Sequence, residues 1–253
     1  MIPERPEFVP DPSLSRDEME RLQREIATVA RFTDDPPTNP ATVGDRVVAG
    51  VDQAFLDDRA VSAVVAMQSG EVIERASAVS PAAIPYVPGL LSFREGGPIL
   101  DAVRNLDCEP ELFIFDGSGR IHFRQAGLAT HVGVLLDVPS VGVAKGLLCG
   151  TPRRSIEGLP EGARVAIEAD DDVKALRGEV GAPGTPIGYA VQTRQYDAPD
   201  RHVNPVFVSP GHRVGAAAAA DLIEELCSGY KLPEPIRRAD SYADQVKSEA
   251  QGE

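Results

Sequence analysis

Three strand-like runs, residues 47–55, 61–68 and 72–79, succeed one another across breaks short enough for hairpins. The breaks centre on Leu56-Asp57-Asp58-Arg59 and on Ser69-Gly70. Strands joined this tightly pair antiparallel, so the sequence predicts a meander. A helical pattern over 92–106 follows, with Ile99, Val103 and Leu106 on one face. Then come a short buried strand at 112–115, a helix at 127–136 that ends before Pro139, and a second buried strand at 141–144. Strands alternating with helices imply parallel crossovers.

A meander followed by strand–helix–strand units is the order of a ribonuclease H-like α/β fold: a mixed central sheet flanked by helices. Topology of itself supplies no function. Around this frame, residues 1–12 are Pro-rich and expected to be loose. Ser15 and Glu18 make a capping box ahead of Met19, Leu22, Ile26 and Val29, which predicts an amphipathic helix over 16–32. Pro36, Pro37 and Pro40 mark a loop. Residues 151–185 read as a peripheral excursion in which 164–168 pairs and Asp170-Asp171-Asp172 forms an exposed turn. Strands are expected at 187–193 and 206–209, with Arg201 and His202 on a surface loop between them. An alanine-rich final helix is expected over 212–229. The tail is polar and expected to be irregular, above all over 241–253. No repeat or linker divides the chain, so one domain over 1–253 is expected.

The chain has 253 residues and 42% of them are apolar, enough for a substantial core. It contains no 18-residue apolar run, and its N-terminus lacks the basic and apolar regions of a signal peptide, so a cytoplasmic protein is expected. Cys108, Cys149 and Cys227 show no zinc spacing and read as free thiols. Asp and Glu number 39 against 25 Lys and Arg, a net charge of −14. Only Lys145, Lys174, Lys231 and Lys247 are lysines, and Trp is absent. Few lysines on so acidic a chain suggest a surface adapted to high salt and a halophilic source. At about 1 M salt the Debye length is roughly 3 Å, which screens repulsion from an anionic polymer. Stability retained in full without molar KCl would contradict that expectation.

Three acidic residues end or follow apolar runs: Asp52 after Val47-Val48-Ala49-Gly50-Val51, Glu95 in Ser92-Phe93-Arg94-Glu95, and Asp116 after Leu112-Phe113-Ile114-Phe115. Strand ends carry carboxylates to one edge of a sheet, where ligands of open α/β sheets sit. Hard oxygen ligands there suit Mg²⁺, and Mg²⁺ with carboxylates suits phosphate-ester chemistry. Each residue alone also fits a structural role: Asp52 in a strand-end turn, Glu95 facing a helix dipole.

The segment Tyr86-Val87-Pro88-Gly89-Leu90-Leu91-Ser92-Phe93-Arg94-Glu95 resembles the signature of endonuclease V, the nuclease of deaminated purines. So do Asp116-Gly117-Ser118-Gly119-Arg120-Ile121-His122-Phe123-Arg124, Ala129-Thr130-His131-Val132-Gly133, Asp137-Val138-Pro139-Ser140-Val141-Gly142-Val143-Ala144-Lys145 and Ser209-Pro210-Gly211-His212-Arg213-Val214. These blocks run in family order and span nearly the whole chain.

The resemblance implies that Asp52 and Asp116 hold Mg²⁺, with Mn²⁺ able to substitute. Glu95 is then the third acidic residue, holding metal through water or directing the attacking water. Lys145 matches a lysine of the site rim, where it either meets phosphate or offsets the acidic cluster. His212 matches a histidine near the reacting phosphate, and its alternative is a helix-start cap. Tyr86, Val87, Pro88 and Gly89 match the wedge beside the lesion. Gly117 and His122 are implied neighbours of the lesion, with Gly89 and the Asp116–Gly119 turn as walls of a base pocket. The implied reaction is hydrolysis of the second phosphodiester 3′ to deoxyinosine in DNA, leaving 3′-hydroxyl and 5′-phosphate. A ribonuclease for inosine-containing RNA and a non-catalytic lesion binder are the alternatives. Ser118, where many members carry His, Phe123 in place of Pro, Gln53 in place of a small apolar residue, and Gly146 depart from the family pattern. None of these removes a carboxylate.

Overall fold

The computed structural model describes residues 1–35, 39–174, 184–196 and 203–252. Pro36 and Pro37 of the expected loop, and Arg201 and His202, lie outside the described residues. After α1 (Arg16–Val29) the meander forms as β1 (Val48–Leu56), β2 (Arg59–Gln68) and β3 (Glu71–Pro81). Ser69 and Gly70 turn β2 into β3 with φ of 52° and 80°, the pair of positive values that matches the twist of a two-residue hairpin. Next come α2 (Leu91–Arg104), β4 (Leu112–Asp116), α3 (Leu128–Leu136) and β5 (Ser140–Ala144). Strands β1, β4 and β5 lie side by side and parallel.

The excursion does not stand apart from the sheet. Its β6 (Thr151–Pro152) and β7 (Arg164–Glu168) join β8 (Pro186–Val191) and β9 (Val206–His212) in an antiparallel extension. The full order is β3-β2-β1-β4-β5-β9-β8-β7-β6. Asp170 stays in a turn, accepting from Thr151 Oγ1 at 3.0 Å and from Asp172 N at 3.1 Å.

Alternation along β4 divides the core. Phe113 and Phe115 pack with α1, α2 and α3, while Leu112 and Ile114 pack with the helices on the opposite face. Those helices are α4 (Ala216–Glu225) and α5 (Glu234–Gln251). Both differ from expectation. His212 ends β9, and α4 begins four residues later. The polar tail is helical through residue 251, and buries Ile236, Ala239 and Ala243 beneath its charged side. Helix α1 has the expected capping box but ends at Val29; Ala30 is extended (ψ 137°), and the Arg31 backbone donates to the His212 ring and accepts from the Arg213 amide.

The N-terminal segment is docked rather than loose. The amides of Glu4 and Arg5 donate to the Leu135 carbonyl at 3.0 and 3.1 Å, and Phe8 is buried in the core. His131 Nε2–H donates to the Phe8 carbonyl at 2.8 Å, and its Nδ1 is buried with no partner to accept a second proton. Burial lowers its pKa to about 4. A histidine depressed in the folded state leaves stability intact above its unfolded pKa of roughly 6.5 and removes it as pH falls toward the folded value. Between pH 6.5 and 5, His131 is therefore expected to withdraw about 2 kcal/mol. Urea unfolding at pH 7.5 and pH 5 should show that excess loss in the wild type over His131→Asn. Equal losses in both proteins would refute the assignment.

Candidate active site

The parallel register of β1 and β4 ends with Val51 beside Phe115, and Asp52 and Asp116 stand one step beyond it. Neighbouring strands lie about 4.8 Å apart, so the two carboxylates meet at the carboxyl edge of the sheet. Alternation with Gly50 and Ile114 aims both toward the face that α5 covers. Burial, then repulsion from Asp116, raises the Asp52 pKa to about 8. Glu95 in α2 is buried, and desolvation with the field of Asp116 raises it to about 8 against the pull of Arg94. Lys145, one residue past β5, places Nζ 2.7 Å from Asp116 Oδ2 with its side chain 55% exposed. Partial burial opposes its charge, but the bond to Asp116 and the fields of Asp52 and Asp240 win, and its pKa rises.

Asp240 escaped the sequence reading. It projects from α5 to within hydrogen-bonding reach of Asp52 and helps raise its pKa. The signal was present: Ile236, Ala239 and Ala243 share a helical face, and Pro235 suits a helix start. Gln53, one of the departures from the family pattern, braces the other side. Its Nε2 donates to Ser62 Oγ at 2.9 Å and to the Glu95 carbonyl at 3.0 Å.

His212 is not part of this cluster. It pairs with Ser140 at the start of β5, three residues before Val143, the neighbour of Asp116, which at 3.3 Å per residue puts it about 10 Å along the strand from that carboxylate. It is buried, accepts the Arg31 amide at Nδ1 (3.2 Å) and donates from Nε2 to Asp137 at 3.0 Å. Burial lowers its pKa. It pins residue 31 to residue 137 and has no free edge for a phosphate.

The Tyr86 segment joins β3 to α2. Tyr86 is 66% exposed at its tip. Ile84 and Val87 anchor the loop against Met19, Leu90 and Phe93, and Arg94 donates to the Ile84 carbonyl at 2.6 Å. Pro88 is exposed beside the tip. Gly89 turns the chain inward with φ of 81°. A cavity of about 50 Å³ lies behind it, lined by Gln23, Tyr86, Gly89, Ser92, Ser118 and His122 among others. His122 is buried and donates to the Gly89 carbonyl at 3.0 Å. The Gly117 amide is committed to Val143 O at 3.0 Å, so this glycine serves the strand end.

Among the described residues, no three His, Cys, Asp or Glu side chains already form a metal-binding group. The donor set nonetheless suits a hard divalent cation. Burial, with the field of Asp116, holds Asp52 and Glu95 above the usual carboxylate range, Lys145 stands on the open side, and Mg²⁺-type ions need only one or two carboxylates beside retained waters.

A ribonuclease H-like sheet with carboxylates gathered at the edge of its central strands defines a nuclease that hydrolyses phosphodiesters. The family profile described as Endonuclease V matches residues 27–241. An endonuclease V of the halophilic archaeon Haloarcula marismortui is 58% identical and covers 97% of both chains. The crystal structure of endonuclease V from Streptomyces avermitilis is 33% identical, with a TM-score of 0.78 over 99% of this chain and 100% of its own. The endonuclease V of Ciona intestinalis, solved with a 24mer DNA containing an inosine followed by a ribo-adenosine, shares the fold at 23% identity, with a TM-score of 0.73 over 92% and 98% of the two chains. The chain belongs to the endonuclease V family. Nucleases of this family are metal-dependent.

Proposed function

We propose that this protein cuts DNA at deoxyinosine, hydrolysing the second phosphodiester 3′ to the lesion and leaving 3′-hydroxyl and 5′-phosphate ends. The observation that carries this reading is one short segment. Tyr86, exposed at its tip, and Glu95, buried beside Asp116, are nine residues apart on continuous chain. A rigid aromatic at the loop tip fills the gap left by a flipped base, so recognition and chemistry share a mount. The inosine seen in DNA bound to the Ciona relative agrees with this substrate.

Asp52 and Asp116 would hold Mg²⁺, with Asp240 beside Asp52. Bound there, the ion supplies charge neutralisation at the scissile phosphate. Glu95 is raised in pKa by burial, which makes it a stronger base than an exposed carboxylate, and it is placed to orient the attacking water and take its proton. Lys145 turns its ammonium toward the same edge and meets the phosphate as a point charge. Lys145→Ala is expected to lower the single-turnover cleavage rate about a hundredfold, the effect of deleting one electrostatic donor. A rate within threefold of wild type would remove Lys145 from the machinery.

The direct test is a labelled duplex bearing one deoxyinosine, with Mg²⁺ in molar KCl, beside an unmodified duplex and an inosine-containing RNA. A single nick in the deoxyinosine duplex alone supports the reading. Cleavage of the RNA alone would replace DNA by RNA as substrate. Binding of the deoxyinosine duplex without a cut would make the protein a lesion binder.

A further inference from the structure

We infer that Gln23, His122 and Arg124 are positioning residues, forming a clamp on the Gly89 carbonyl that sets the Tyr86 loop for lesion engagement. The inference rests on the deoxyinosine reading above and assigns roles within it. Three donors converge on one oxygen: Gln23 Nε2 at 2.9 Å, His122 Nε2 at 3.0 Å and Arg124 Nη2 at 2.9 Å. A carbonyl offers two lone pairs, so a third buried donor is more than hydrogen-bond satisfaction requires. All three side chains are buried, and they arrive from two separate parts of the chain, α1 and the loop after β4.

The donors also fix one another. The Arg124 amide donates to His122 Nδ1 at 3.1 Å, which leaves the ring proton on Nε2, facing Gly89. Arg124 Nε donates to Gln23 Oε1 at 2.7 Å, which turns the Gln23 amide nitrogen toward the same carbonyl. The guanidinium lies 3.6 Å from Glu20, so its bond to Gly89 is charge-assisted. Gly89 is suited to the grip in two ways. Its φ of 81° is open to glycine, and a Cβ there would stand 3.0 Å from Arg124 Nη2 and from the Phe123 ring. The clamped residue is three positions from Tyr86 and lines the same cavity as Gln23, Ser118 and His122.

None of the three donors makes a hydrogen bond or ion pair with the Asp52 cluster among the described residues, so the clamp acts on where the loop stands and leaves the chemistry of the bound complex alone. Gln23→Glu separates the two. It keeps the acceptor for Arg124 Nε, and it sets a carboxylate oxygen against the Gly89 carbonyl in place of a donor. Steady-state cleavage of deoxyinosine and unmodified duplexes is measured for wild type and variant, with urea midpoints for both. We expect KM for the deoxyinosine duplex to rise about tenfold and selectivity over the unmodified duplex to fall alike, the loss of roughly one hydrogen bond. The expected kcat stays within about threefold of wild type, with a urea midpoint that falls but leaves the variant folded under assay conditions. Arg124→Lys keeps the charge beside Glu20 but cannot reach Gln23 and Gly89 together, so it should show the same KM shift and decides the matter if Gln23→Glu fails to fold. Unchanged KM and selectivity in a folded variant, or a fall in kcat at constant KM, would overturn the clamp alone. A wild type indifferent to deoxyinosine would overturn the substrate reading and the clamp with it.

Discussion

Asp52→Asn should abolish strand cleavage, lowering the rate at least about a thousandfold, and still yield a protein no less stable than wild type in metal-free buffer. Asparagine keeps the shape of the side chain and an oxygen, but it removes the anion that a divalent cation requires. Asp52 is half-buried beside Asp116 and Asp240, with Lys145 the nearby compensating charge. A carboxyl pushed up to about 8 holds its proton at neutral pH when no metal is bound, so asparagine replaces one neutral group by another, which is why loss of function and retention of stability should part company here. Nicking assays at saturating Mg²⁺ and urea unfolding in chelator would measure the two effects. Cleavage within tenfold of wild type would exclude Asp52 from the metal site.

Gly50→Ala is the second large effect. A Cβ on Gly50 would stand 2.1 Å from the Pro235 carbonyl oxygen and 2.2 Å from its carbon, contacts that only movement of α5 can relieve. The obstacle is backbone, so no side-chain rotation offers an escape. The substitution should destabilise the protein by about 3 kcal/mol, the upper range of core overpacking. Because α5 carries Asp240, lifting the helix also shifts a carboxylate at the site, and displacements near 1 Å reduce rates about a hundredfold. The two readouts separate: urea unfolding reports the helix, and single-turnover cleavage at saturating substrate reports the site. A variant with wild-type midpoint and rate would show that β1 and α5 are not packed as described.

The contrast between β1 and α5 marks how much the sequence disclosed. Strands β1 to β5 were legible because their apolar residues are large or β-branched and their breaks are turn residues. Asp116 followed from that, since it ends β4; Asp52 was found by the apolar run before it, although β1 continues past it to Leu56. Helix α5 buries Ile236 with Pro235, Ala239 and Ala243, mostly small side chains scattered among charged ones, so its apolar face hardly registers and Asp240 passed for surface charge. His212 failed for another reason. Pro210-Gly211 looks like a helix opening, but β9 runs through both residues, with its register shifting against Ser140 and Val141, and carries His212 to the far end of the sheet. The excursion at 151–185 misled because β7 pairs with a strand that begins eighteen residues after it ends, a separation no local pattern reports.

The placement of Asp240 has a consequence for how the enzyme comes into being. Proteins are made from the N-terminus, and the first 233 residues already contain Asp52, Glu95, Asp116 and Lys145. They lack the element that covers Gly50 and faces Asp52. A nascent chain on the ribosome therefore holds most of a nuclease without its final carboxylate, and the cutting edge closes only when α5 has emerged and docked.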